Sequence, residues 1–171
     1  MNKLIISTII VLAAVSRLIP HPPNFTPIIA MGLFGSAYIK NRSLAMFIPI
    51  CAMFIADMFL GYHSTIYWVY GSLILISILG MLVINRISIK NCTIATISGS
   101  LLFFIATNFG VWLTSTYYPK NIEGLIICYT AALPFLVNTL AGSIFYSIIM
   151  FGGYEILRRN LSHLYTESIH N

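Results

Sequence analysis

Residues 17 to 27 read Arg-Leu-Ile-Pro-His-Pro-Pro-Asn-Phe-Thr-Pro, and this run limits the possible folds more than any other part of the chain. Proline lacks the N–H that continues a helix, and it pushes the residue before it toward extended geometry. Four prolines in these eleven residues exclude a spanning helix. The chain on either side is apolar enough to sit in lipid, which cannot satisfy freed backbone groups. The run is therefore predicted to be a rigid polar loop folded over one mouth of a helical bundle.

The surroundings justify that picture. The chain is 58% hydrophobic and 8% charged, against about 25% charged in a soluble domain. That composition marks an integral membrane protein whose first partner is the lipid bilayer. Hydrophilic stretches are short, so residues 1–171 are expected to form one membrane domain. The net charge of +5 comes from basic residues scattered between apolar runs, which orients a membrane protein and gives no nucleic-acid signal. Cys51, Cys92 and Cys128 have no paired spacing and read as buried thiols within helices.

The apolar runs predict an all-α, polytopic membrane helix bundle of about six transmembrane helices, at residues 4–19, 27–39, 44–60, 65–84, 93–113 and 135–156. The first run also fits a signal peptide, but its direct continuation into Arg17 favours a span. The second would reach only about 20 Å, short of a hydrocarbon core of about 30 Å. Within it, Gly32-x-x-x-Ser36 puts two small residues on one face, where another helix can approach. Residues 124–154 are too long an apolar run for one ordinary span. Pro134 is expected to divide it into a re-entrant or surface-lying piece and a sixth span. No internal repeat is visible, which argues against an inverted-repeat transporter.

Six spans place Lys3, Lys40, Arg42, Arg86, Lys90, Arg158 and Arg159 on one side, and Lys120 with Arg17 on the other. The positive-inside rule then puts both termini in the cytoplasm. The unusual residues gather at the outer ends: the proline-rich run, Asp57, His63, Trp68, Asn108 and Trp112 among them. The inner ends are expected to carry little beyond lysine and arginine.

Each candidate has a plain reading beside a functional one. Arg17 and Asp57 are opposite charges that both fall inside predicted spans near their outer ends, and charge at such depth is usually paired. They form either a structural ion pair or the polar lining of a cavity. His21 and His63 could hold a ligand, although no third residue completes a metal site. Trp68 and Trp112 fit an interfacial aromatic belt. They fit equally a stacking surface, with the Asn108 amide reading a ligand's edge. No nucleophile elbow, zinc-protease helix or phosphate loop occurs, so neither an enzyme nor a self-powered pump is expected. An Asp57–His63 pair is the one arrangement a membrane enzyme could use.

The motif at 17–27, with Gly32-Leu-Phe34, Asp57, Asn108-Phe-Gly-Val-Trp112 and Leu133-Pro-Phe135, resembles a family of small bacterial membrane proteins of unknown function that are regarded as transport proteins. More distantly, the layout is similar to the substrate-binding S components of energy-coupling factor (ECF) transporters. That resemblance implies six helices, cytoplasmic termini, and a ligand site on the outer side of a bacterial cytoplasmic membrane. It also implies a separate ECF-type energising module as partner. S components often dock on their partner through Ala-x-x-x-Ala on the first helix, where this chain has Ala13-Ala14.

The expected function is thus an S-component-like subunit that takes up a small, partly aromatic or heterocyclic micronutrient. The proline-rich loop would gate the site. Arg17, His21, Asn24, Asp57, His63 and Asn108 would supply polar groups, and Trp68 and Trp112 would supply stacking walls. No cofactor and no metal is expected. The alternative is a non-transporting membrane scaffold or assembly protein.

Overall fold

The computed structural model describes residues 2–61 and 64–160. They form six α-helices: α1 (Asn2–Val15), α2 (Ile28–Tyr38), α3 (Arg42–Leu60), α4 (Ile66–Val83), α5 (Ile89–Thr114) and α6 (Ile122–Ser147). A single 3-10 turn, Ser16–Leu18, follows α1, and a π-turn, Ile148–Gly152, follows α6. Consecutive helices pack on one another through short connections, the arrangement of antiparallel neighbours. Lys40, Arg42, Arg86, Lys90 and Arg158 therefore share one end of the bundle, here the basic end. The proline-rich loop lies at the other, here the proline end.

Among the described residues, four helices are long and apolar enough to cross a membrane: Arg42–Leu60, Ile66–Val83, Ile89–Thr114 and Ile122–Asn160. The last of these corrects the expected break at Pro134. The residues before that proline continue the same helix and form no separate piece. One helix runs through it for 39 residues, about 58 Å at 1.5 Å per residue. Proline is tolerated inside membrane helices because neighbouring groups compensate for the lost bond.

At the centre stands α2, apolar on every face. Residues 28–35 are all buried, as a helix hydrophobic all round must be. Its eleven residues span only about 16 Å, roughly half of a hydrocarbon core. Small residues set how closely its neighbours approach. Gly32 lies against Leu73, Ile76 and Ser77 of α4, and Ser36 lies against Gly80 on the same helix. On α3, Pro49 has no N–H to give the carbonyl of Ala45. Gly35 covers that carbonyl so closely that a Cβ there would stand 2.9 Å from the oxygen. The freed acceptor is thereby buried in protein and kept from lipid.

At the basic end α2 meets the C-terminal part of the long helix. Tyr38 packs on Tyr154 at 4.4 Å between ring centroids and donates a 2.7 Å hydrogen bond to Glu155 Oε1. Arg158 donates to the other carboxylate oxygen at 2.8 Å. Phe34 meets Phe151 and Tyr154 edge-on. This end therefore carries an aromatic and acidic cluster where little beyond lysine and arginine was expected.

The π-turn just above helps aim that cluster. It accommodates one residue more than an α-turn, so deleting exposed Ile149 restores an α-turn with Phe151, Tyr154 and Glu155 still facing α2. The melting temperature of that variant should fall by no more than a few degrees. Deleting exposed Ile97 from α5, where no residue is surplus, rotates one side of the helix by about 100°. That variant should not accumulate in a folded state.

Candidate functional site

The proline end is built from three groups of side chains. The first joins the end of α1 to α3 and α4. Arg17, leaving the 3-10 turn, donates to Asp57 Oδ1 at 2.7 Å, and Tyr70 of α4 donates to Asp57 Oδ2 at 2.9 Å. The Asp57 side chain is 1% exposed and that of Arg17 is 10% exposed. Met53 Sδ lies 3.3 Å from the same guanidinium nitrogen, while Arg17 Nε is buried with no hydrogen-bond partner. An unpaired charge here would meet a large desolvation penalty, so the carboxylate holds three helices to one geometry.

The second group is an aromatic row across α4 and α5. Trp68, Phe109 and Trp112 follow one another at centroid spacings of 5.5 Å. Trp68 lies so close over Gly110 that a Cβ there would fall inside the indole. Trp112 Nε1 donates to Pro119 O at 2.9 Å, and Lys120 donates to the carbonyls of Trp112 and Ser115. That ammonium meets the negative, C-terminal end of α5, where a cation is favoured. Asn108 takes no part in the row. Its side-chain amide donates back to Phe104 O at 2.8 Å, and its backbone carbonyl accepts from Cys128 Sγ.

The third group fixes the proline-rich loop on α6. Asn138 Nδ2 donates to Pro23 O at 3.0 Å. The backbone of Phe25 and Thr26 rests on Gly142, where a Cβ would meet Phe25 Cα and Thr26 N at 2.9 Å. Phe25 packs against Phe145 and Tyr146, and Tyr146 Oη accepts from Ser16. Asn24, at a φ of 63°, turns the chain into this contact; asparagine visits that region more readily than most residues. His21 and Asn24 themselves are exposed. The loop leads into α2, whose first turn has no side-chain cap and whose Met31 N–H bonds Pro27 O at 2.9 Å.

Of the eight candidates, the structure brings Arg17 and Asp57 into direct contact and sets Trp68 and Trp112 in one row. Asn108 is bonded within its own helix and to Cys128, and His21 and Asn24 stand on the loop beside α6. His63 lies outside the described residues. Tyr70 and Asn138 join these groups beside the eight candidates. Tyr70 had a signal: it lies about as far after the α3–α4 connection as Asp57 lies before it, so the two share a depth in the hairpin.

A cleft of about 400 Å³ opens beside the first group, between α3 and α4, lined by Phe54, Ile66, Tyr67 and Tyr70. Tyr70 belongs to both: its ring walls the cleft and its hydroxyl reaches Asp57. Among the described residues, no group of three or more His, Cys, Asp or Glu side chains is placed to hold a metal ion.

Residues 1–164 match the model of a family of unknown function, DUF6580. No curated protein and no solved structure matches the chain.

Proposed function

The chain belongs to DUF6580, and we propose that it is a multi-pass membrane protein that captures a small, partly aromatic or heterocyclic micronutrient at its proline end. In this reading α1 and α2 join the four long helices as a six-helix, S-component-like bundle in a bacterial cytoplasmic membrane. Both termini lie on the basic, cytoplasmic side, and an ECF-type module supplies the energy. Arg17 and Asp57 are the polar anchor of the site.

One observation carries the proposal. A buried ion pair with a phenol on it lies directly behind the wall of an aromatic cleft. Ligand sites are mostly apolar, with a few fixed polar groups and volumes of about 300–1,000 Å³. Ionisable groups inside a membrane bundle also mark binding or transport paths.

The test begins with protein purified from membranes of the expressing bacterium. Mass spectrometry of its extract should find one small ring compound in near-stoichiometric amount, and that compound should raise the melting temperature. Absence of any such compound, with no thermal shift across a panel of water-soluble and lipid-soluble vitamins, overturns the proposal. Capture of a partner membrane protein in its place supports the scaffold reading. That reading draws on Arg17 and Asp57 being bonded to each other and on Trp68 seated over Gly110.

A further inference from the structure

The two ways into the proline end differ in kind. The face toward the loop is held shut. Asn138 binds Pro23, Gly142 receives the backbone at residues 25 and 26, and Phe25 is wedged against Phe145 and Tyr146. The α3–α4 side is open. Phe54 is 47% exposed and Tyr67 is 86% exposed. Their neighbours Met58, Phe59 and Ile74 are exposed apolar residues of the kind that face lipid in a membrane bundle.

Among the described residues, the cleft lining contains three rings and one isoleucine, with no charged side chain. The guanidinium and carboxylate behind it are already joined to each other. A charged guest would be desolvated there without a counter-charge in the lining. An uncharged ring compound would lose little, and could share a hydrogen bond with the hydroxyl of Tyr67 or Tyr70.

We infer that the ligand of this site is a neutral, lipid-soluble ring compound that enters between α3 and α4 from the bilayer, and not past the proline-rich loop from water. The inference rests on the capture function proposed above and narrows its substrate class.

Full-length protein in nanodiscs of synthetic phosphatidylcholine is titrated with two probes built on one ring system. Menadione is neutral and lipid-soluble; 1,4-naphthoquinone-2-sulfonate is anionic and water-soluble. Melting temperature and native mass spectrometry report binding. Menadione should bind as a one-to-one complex, and the sulfonate at least tenfold more weakly. Ile66→Trp fills the cleft and should weaken menadione at least tenfold, whereas Ile74→Trp, outside the lining, should leave it unchanged. Phe54→Trp fills the same space from α3 and replaces Ile66→Trp if that variant does not fold.

Equal or tighter binding of the sulfonate, untouched by either filling variant, overturns the bilayer route and leaves the capture function standing. Binding of neither probe, with only phospholipid retained, identifies an acyl-chain groove and overturns the inference. The compound search on purified protein decides the capture function independently.

Discussion

Asp57→Ala is expected to remove about 3–5 kcal/mol of stability, the usual result of breaking a buried ion pair by deleting one partner. The loss exceeds the value of the hydrogen bonds themselves. With the carboxylate gone, the Arg17 guanidinium stays nine-tenths buried with only the Met53 sulfur beside the nitrogen that had faced Asp57. Tyr70 also loses its 2.9 Å acceptor. Removing both charges should behave differently. Replacing a buried pair by apolar residues of similar volume is often neutral or stabilising, so Arg17→Met combined with Asp57→Leu should regain most of the lost melting temperature. Equilibrium unfolding in mixed micelles, followed by tryptophan fluorescence, measures both variants. The pair of results separates two roles for the ion pair. A double variant that is stable but no longer holds ligand places the charges in the binding site. One that is stable and holds ligand as before makes them a brace between α1, α3 and α4. A double variant no more stable than Asp57→Ala contradicts the reading of the pair as an exchangeable buried brace.

That ion pair shows how far the sequence could be read. Two opposite charges near the outer ends of apolar runs had few other ways to be satisfied in lipid, so Arg17 and Asp57 could be matched from the sequence. The core position of α2 was open to similar reasoning, since a short helix apolar on every face with Gly32 and Ser36 one turn apart needs close neighbours. Pro134 reads as a break because proline interrupts an isolated helix, whereas here the helix is packed. In the bundle α6 passes through that proline and pairs along its length with α5, as Thr96–Ser147 and Tyr129–Ile105 show. The cluster of Tyr38, Tyr154 and Glu155 was hidden for a different reason. Counting positive charges sorts the ends of helices but says nothing of which rings and acids meet there. Trp68 and Trp112 are the hardest case. A tryptophan that stacks on a ligand and one that seats over a glycine have the same sequence signature, and only the contact with Gly110 tells them apart.

The largest effect on the loop is expected at Gly142. This glycine needs no unusual backbone angle; it is small because another stretch of backbone lies on it. A Cβ at this position would stand 2.9 Å from Phe25 Cα and from Thr26 N. Backbone cannot step aside as a side chain tip can, so the loop must lift. Overpacking of a closed contact costs about 1–3 kcal/mol, and Gly142→Ala should fall in that range, with Gly142→Leu well beyond it. Lifting also withdraws Phe25 from Phe145 and Tyr146 and stretches the bond from Asn138 to Pro23. The movement can be read directly. In a background with Cys51, Cys92 and Cys128 replaced by alanine, Phe25→Cys is half-covered, and adding Gly142→Ala should raise its rate of modification by a membrane-impermeant maleimide several-fold. A cysteine at exposed His21 should react at the same rate with and without the change. Unaltered labelling at position 25, together with an unchanged melting temperature, would mean that the loop does not rest on α6. The closed face that directs a ligand to the α3–α4 cleft would then be lost as well.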